Sequence, residues 1–299
     1  MNLMCPARLV LLPPGSRERL AGERVAQVYA TPGAEEPAAG LAEELGVRLT
    51  VVPELSHAEA ESVVREIADQ HRGETVVVVA PELDLGITLP AVIEHEGDGW
   101  SLEPSPNEVT LASYEQAAER FRDSLRRTPN AYMIELFDLI DAHLRDGGSV
   151  LELGSGTGED AVELERRGHR VRRTDAAGSF VEMIRADGHD ADRLNALTDD
   201  FGGPYDLVFA DAVFVHFTPA QLATVLRKSH QAAQLLAFTT REGEGDEWSN
   251  RHLDLPRHFT LWEEQSLREL LAACGWTVLA WQRGQTPIGG WFYVLARRT

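Results

Sequence analysis

"VLELGSGTGED", Val150 to Asp160, is the stretch on which the fold turns. An apolar run holding one acid, Glu152, leads straight into three glycines at alternate positions, Gly154, Gly156 and Gly158. The run has the length of a strand and the residues beyond it read as a helix. The glycines then form a turn between strand 149–153 and helix 157–167. Glycine takes backbone angles that other residues avoid and lets a ligand lie against bare backbone. A nicotinamide site would call for G-x-G-x-x-G, but position 159 is Glu, and Glu152 and Glu159 would both repel a pyrophosphate. A P-loop needs a lysine after its glycines, and the only lysine of the chain is Lys228. The expected ligand therefore carries no phosphate and tolerates carboxylates.

Outward from the turn, the same alternation continues. Strand 169–174, helix 178–187, strand 205–211, helix 219–231 and strand 234–240 follow in order. Helix 263–273 comes next. "TVLAWQRG" and "WFYVLARR" then read as an antiparallel pair closing the sheet. Ahead of the turn, "SYEQAAERFRDSLRR" is helical, and Thr128–Pro129 reads as the cap and first residue of another helix ended by Gly147–Gly148.

The first 110 residues repeat the pattern on a smaller scale. "RLVLL" is a buried strand, "SRERLAGERVAQ" a helix, "AQVYATP" a strand, and "EEPAAGLAEELG" a helix stopped by Gly46. "VRLTVVPEL" is a strand and "HAEAESVVREIADQH" an amphipathic helix. "ETVVVVAPE" lacks alternation, as in a strand covered on both faces. The turn-rich segment 94–110 holds a hairpin and the domain boundary. The expected fold class is α/β in two domains, 1–110 and 111–299, the second with a mostly parallel seven-stranded sheet.

The chain has 299 residues, 43% hydrophobic and 25% charged, as a globular protein of this size should. Its net charge is −20. That excludes a nucleic-acid backbone or an anionic membrane as the main partner, since both need a basic surface. Cys5 and Cys274 lie far apart and in no metal-like spacing, so neither a disulfide framework nor a metal site is expected. The apolar run near the start is too short for a signal core or a membrane span. A soluble, cytoplasmic protein is the expectation.

S-adenosylmethionine matches the ligand description: it is cationic at sulfur, carries an ammonium group and has no phosphate. Asp175 ends the next strand, 17 residues after Gly158, where an acid can accept from both ribose hydroxyls. Residues 112–299 resemble the class I S-adenosylmethionine-dependent methyltransferases. The segments that carry this are "VLELGSGTGEDAVELERRGHRVRRTDAAGSFVEMIRADGH", "LNALTDDFGGPYDLVFADAVFVHFTP", "LLAFTTREGEGDEWS" and "RHFTLWEEQSLRELLAACGWTV". The resemblance implies a Rossmann-like domain in which Glu152, Gly154, Ser155, Gly156 and Gly158 cradle the methionine moiety. It further implies Asp175 and Ala176 at the ribose, Asn195 and Ala196 at adenine, and Ala210 and Asp211 at the amino-acid end. The family often has Asp where Asn195 stands.

Methyl transfer from a sulfonium depends mostly on positioning. A hydroxyl or ammonium acceptor would also need a base, and His216 in "FVHFTP" is best placed; a packing or capping histidine is the alternative. Tyr114 and Phe121 on the leading helix are placed to cover the cofactor. Arg241, Trp248 and His258 mark the expected acceptor wall.

Residues 7–110 resemble, more weakly, the histidine phosphatase (phosphoglycerate mutase-like) family, through "RLVLLPPGS", "QVYATPGAEEPAAGLAEELG", "VPEL" and "HRGETVVVVAPE". That family places one histidine after its first strand and a second after the valine-rich strand. Here those places read Pro13-Pro14-Gly15 and Ala80-Pro81. A phosphoryl site needs a nucleophile and a cationic clamp, so an inactive domain is expected, retained for dimerisation, substrate capture or support of a lid. His57 and His71 are read as solvated surface. An α/β domain of other descent is the alternative. The combined expectation is a methyltransferase acting on a small-molecule or peptide acceptor, plausibly in bacterial specialised metabolism, with a homodimer among the assemblies left open. Its rivals are a non-catalytic scaffold, a methyltransferase/phosphatase and a nicotinamide-dependent oxidoreductase.

Overall fold

The computed structural model describes residues 6–20, 22–56, 59–85, 87, 89–96, 99–124 and 130–299. Two compact units divide between Ser105 and Pro106. That is five residues ahead of the expected boundary, because the leading helix starts early, with Pro106 in its first turn.

The N-terminal unit runs β1 (Ala7–Leu12), β2 (Val25–Ala30), α1 (Glu35–Leu45), β3 (Arg48–Val51), α2 (Ala60–Gln70), β4 (Thr75–Val79), β5 (Ala91–Glu96) and β6 (Gly99–Leu102). Its six strands lie in the order β3-β2-β4-β1-β5-β6, the first four parallel and the last two antiparallel. The unalternated valines of β4 have a direct physical cause. Val76 and Val78 pack with Val64, Ile67 and Ala68 of α2, while Val77 and Val79 pack with Ala38, Leu41 and Ala42 of α1. Each valine so buried contributes about 1.5–3 kcal/mol. Gly46 closes α1 in the left-handed region, φ 67°, as its position suggested.

Two expectations fail in this unit. The segment 16–27 is not helical: β2 begins at Val25, and the described residues before it form turns, with Gly15, Arg19 and Gly22 at positive φ. Its charges are held by partners distant in sequence, Arg17 on Glu44 at 2.9 Å and Glu23 under Arg8 at 3.2 Å. Those tertiary pairs override a local helix preference. His71 is not solvated either. Its Nε2 accepts from the Tyr29 hydroxyl at 2.8 Å, and its Nδ1 meets Glu74 at 2.7 Å. His57 and Cys5 lie outside the described residues.

The C-terminal unit opens with α3 (Pro106–Ser124), which kinks at Ala117, and α4 (Ala131–His143). The cap of α4 is Asn130, whose side chain accepts from the Met133 amide at 2.9 Å. The expected cap at Thr128 and Pro129 lies outside the described residues. There follow β7 (Ser149–Leu153), α5 (Glu159–Arg166), β8 (Arg170–Asp175), α6 (Gly178–Ala186), β9 (Asp192–Arg193), β10 (Tyr205–Ala210), α7 (Pro219–Ala232) and β11 (Ala233–Arg241). A two-stranded ribbon, β12 (Asp246–Ser249) with β13 (Arg257–Thr260), precedes α8 (Glu264–Ala273), β14 (Trp276–Thr286) and β15 (Gly289–Arg298). The seven-stranded sheet is mixed, in the order β14-β15-β11-β10-β7-β8-β9. Five strands are parallel, and β14 and β15 close one edge antiparallel.

One face of this sheet packs Leu151, Val208, Leu236 and Phe238 with α7 and α8; the other packs Val150, Leu207 and Phe209 with α4. The strand order reverses between β7 and β10. The carboxyl ends of the strands therefore frame a crevice there, where open α/β sheets bind their ligands. No helix among the described residues is long and apolar enough to cross a membrane.

Candidate active site

A cavity of about 260 Å³ opens at that crevice. Its floor is the glycine turn. Gly154 has φ 68°, and a Cβ built there would run into the side chain of Val213, from the loop after β10. Only glycine fits at that crossing. The turn is then stitched to the neighbouring strand. The Ser155 amide donates to Thr174 O at 2.8 Å, the Thr174 amide donates to Ser155 Oγ at 3.0 Å, and Ser155 Oγ donates to Glu152. Across β10 the loop holds a strained residue: Ala212 has φ 54° and donates its amide to Thr239 Oγ1 at 2.9 Å.

Asp175 latches the turn from the other side. Its Oδ2 accepts from the Gly156 amide at 2.9 Å and its Oδ1 from the Ala177 amide at 2.8 Å. Burial pushes its carboxyl up to about 6, against the pull of those amides. Burial likewise pushes Glu152 up to about 7, opposed by the Ser155 hydroxyl and the charge of Arg173. Asp160 and Asp211 face the cavity together. Burial raises both, and the Asp211 charge raises Asp160 further, so the two carboxyls resist carrying full charge side by side. No lysine or arginine stands among the described residues lining the cavity. This wall suits a cation without phosphate: an ammonium or sulfonium would relieve the crowded carboxylates, whereas a pyrophosphate would compound them. S-adenosylmethionine passes that test, and Asp160, Asp175 and Asp211 are the acids that would meet it.

Of the expected cofactor residues, Gly154, Ser155, Gly156, Asp175, Ala176, Asn195, Ala196 and Asp211 line the cavity. Glu152, Gly158 and Ala210 do not; they lie behind it, Glu152 bracing Ser155 and Gly158 packing toward Ile184. Asn195 uses its carboxamide oxygen to hold the Leu197 amide at 2.9 Å. The loop is fixed further by Lys228, which donates to Ala196 O at 2.7 Å. Tyr114 and Phe121 of α3 meet Phe180 of α6 in an aromatic wall, with Tyr114–Phe121 centroids 5.3 Å apart.

His216 lies in a short 3-10 turn (Phe214–His216) and faces the cavity, yet both ring nitrogens are engaged. Nδ1 lies 2.7 Å from His258 O, an acceptor only, so it carries the ring proton. Nε2 must then accept, and the Tyr114 hydroxyl donates to it at 3.0 Å. Burial, then the charges of Arg257 and His258, push the imidazole down to about 4, so it is neutral at physiological pH.

The three expected wall residues stand elsewhere. Arg241 is buried against Glu247 and Ile288 O, and Trp248 is half exposed, packed on the His258 ring. His258 contributes its backbone carbonyl, while its Nε2 meets Asp246 at 2.8 Å. Trp248 and His258 build the ribbon, Arg241 ends β11, and none of the three is among the cavity-lining residues. Asp160 was legible in "GED" as a second acid past the turn. Arg257 carried no such signal, because only the packing of β13 against α3 brings it to Tyr114.

Residues 120–280 match the model of the family described as "Methyltransferase domain". No curated protein matches the chain. Among solved structures it is similar to the 1,6-didemethyltoxoflavin-N1-methyltransferase of Burkholderia thailandensis, at 21% identity and TM-score 0.53, covering 71% of this chain and 97% of that one. It is similar to the magnesium protoporphyrin IX methyltransferase of Synechocystis, at 15% identity and TM-score 0.52, covering 66% and 99%. The CcbJ methyltransferase of Streptomyces caelestis aligns at 14% identity and TM-score 0.52, covering 62% and 98%. At these identities the likeness is one of fold.

Proposed function

The chain belongs to the methyltransferase-domain family, and from that premise we propose that it transfers a methyl group from S-adenosylmethionine to a small-molecule acceptor in the cytoplasm. The observation that carries this reading is the carboxylate-walled cavity over a glycine turn, with Asp175 bound to both backbone segments that shape it. The cofactor is S-adenosylmethionine, which supplies an electrophilic methyl on a cationic sulfur. Gly154 and Gly156 let the backbone approach it, Asp175 takes the ribose, Asn195 and Ala196 flank adenine, and Asp160 with Asp211 faces the ammonium.

The aromatic wall of Tyr114, Phe121 and Phe180 keeps water from the reacting atoms. His216, neutral and accepting at Nε2, is the base. A small acceptor fits the modest cavity, and the Burkholderia relative holds 1,6-didemethyltoxoflavin beside S-adenosylhomocysteine. A role in bacterial specialised metabolism is in keeping with that likeness. The N-terminal unit is read as an inactive relative of the histidine phosphatases. Pro13–Pro14 and Ala80–Pro81 follow the adjacent strands β1 and β4, where that family keeps its histidines. A generic phosphate ester should therefore remain unhydrolysed.

The cofactor reading is tested by heating the protein with and without S-adenosylmethionine across pH. Without ligand, Asp175 and Glu152 bind protons that the unfolded chain releases at lower pH. Their contribution to stability is present below about pH 4 and is lost as pH rises through about 6 to 7. A cation in the cavity favours the ionised acids and offsets that loss. The rise in Tm on adding ligand should thus be larger at about pH 8 than at about pH 5.5. No stabilisation at either pH would sink the reading, as would an equal rise with a nicotinamide dinucleotide.

A further inference from the structure

Arg257 is an unusual arginine for so acidic a chain. Its side chain is buried, with 4% of the residue exposed. No carboxylate lies within 4.0 Å of it among the described residues, whereas most buried arginines here, Arg173 and Arg241 included, hold an acid. Its Nε has no partner. One terminal nitrogen donates to Arg251 O and the other to the Tyr114 hydroxyl at 3.0 Å. The guanidinium also rests against the rings of Tyr114 and Phe259, at 5.4 and 5.3 Å from their centroids. A buried charge with no counter-ion is costly unless one arrives.

The Tyr114 oxygen thus sits between a fixed cation and a neutral imidazole. It accepts from Arg257 and donates its proton to His216 Nε2, and Tyr114 is one of the residues lining the cavity. Resting on the methyltransferase reading, we propose that the acceptor presents a phenolic or enolic hydroxyl to Tyr114 and is methylated on that oxygen as an anion stabilised by Arg257. The acceptor hydroxyl gives its proton to Tyr114 Oη as Tyr114 passes its own to His216 Nε2. His258 O, already accepting from Nδ1, holds the imidazolium that results. The acceptor oxygen then forms its bond to the methyl carbon as the carbon–sulfur bond breaks, and that bond's electron pair stays on sulfur, leaving a neutral thioether. The proton leaves from His216 after turnover.

Other acceptors suit this wall less well. A neutral amine brings no negative charge to the buried guanidinium. A carboxylate arrives ionised and leaves the tyrosine–histidine pair without a task. An aliphatic alcohol is a weaker acid than a phenol or an enol and yields its proton less readily to a neutral imidazole.

The probe is 4-nitrophenol, whose ionised form is yellow, titrated onto the full chain saturated with S-adenosylhomocysteine. Bound probe should ionise at a pH about one unit or more below that of the free phenol. Arg257→Gln and Tyr114→Phe should each abolish that shift while S-adenosylhomocysteine affinity, read by calorimetry, stays within about threefold; Arg257→Lys, which keeps the charge, should retain part of it. Probe bound in neutral form, probe not bound, or a shift that survives both Arg257→Gln and Tyr114→Phe would overturn the proposal. If S-adenosylhomocysteine itself fails to bind the wild-type protein, the methyltransferase reading falls first and takes this inference with it.

Discussion

Asp175→Ala should cost the protein its cofactor. The carboxylate accepts from two backbone amides, Gly156 and Ala177, and is placed to accept from the ribose hydroxyls as well. Charge-assisted hydrogen bonds contribute about 1.5–3 kcal/mol each. One or two lost to the ligand weaken binding by roughly 10-fold or more. The alanine also leaves the Gly156 and Ala177 amides without their acceptor, so the turn loosens and the loss should exceed that of the ribose contacts. Asp175→Asn separates the two effects. Its single carbonyl oxygen can still hold one amide, so the fold should persist while affinity falls. Calorimetry with S-adenosylmethionine reads both variants, and wild-type affinity in Asp175→Ala would remove this residue from the site.

His216→Ala should slow turnover by roughly 10²-fold or more at saturating cofactor, with cofactor affinity nearly unchanged. The ring accepts the Tyr114 proton, and without it that hydroxyl has no partner on the base side. A pH profile adds a sign that simple packing would not produce. Because the imidazole is pushed down to about 4, kcat should stay level as pH falls through the usual histidine range and drop only toward pH 4. An unchanged rate in the variant would leave His216 a packing residue. A profile bending near an ordinary histidine value would place the base elsewhere.

Much of the site was legible in the chain because its signals are local. A strand, three glycines and a helix lie within Ser149 to Arg166, and the strand-end acid follows at Asp175. Backbone geometry at Gly154 and charge at Glu152 and Asp160 can be read from residue type and order. Local pattern misleads where contacts are distant. The segment 16–27 looked helical by composition, yet Arg17 answers to Glu44 and Glu23 to Arg8. Arg241, Trp248 and His258 were expected as the acceptor wall, but Arg241 is held by Ile288 O, Trp248 is half exposed, and His258 reaches His216 only through its carbonyl.

From residue order alone came the α/β alternation and a cofactor pocket that favours a cation over phosphate, because both depend on spacing and side-chain type within a few turns of chain. The cluster of Tyr114, His216 and Arg257 came from folding. Tyr114, His216 and Arg257 are separated by 102 and 143 residues from one another's partners, and nothing in their local patterns pairs them. Their shared hydrogen bonds exist because α3, the turn after β10 and β13 converge over the sheet, and that convergence is set by packing, a property of the whole unit.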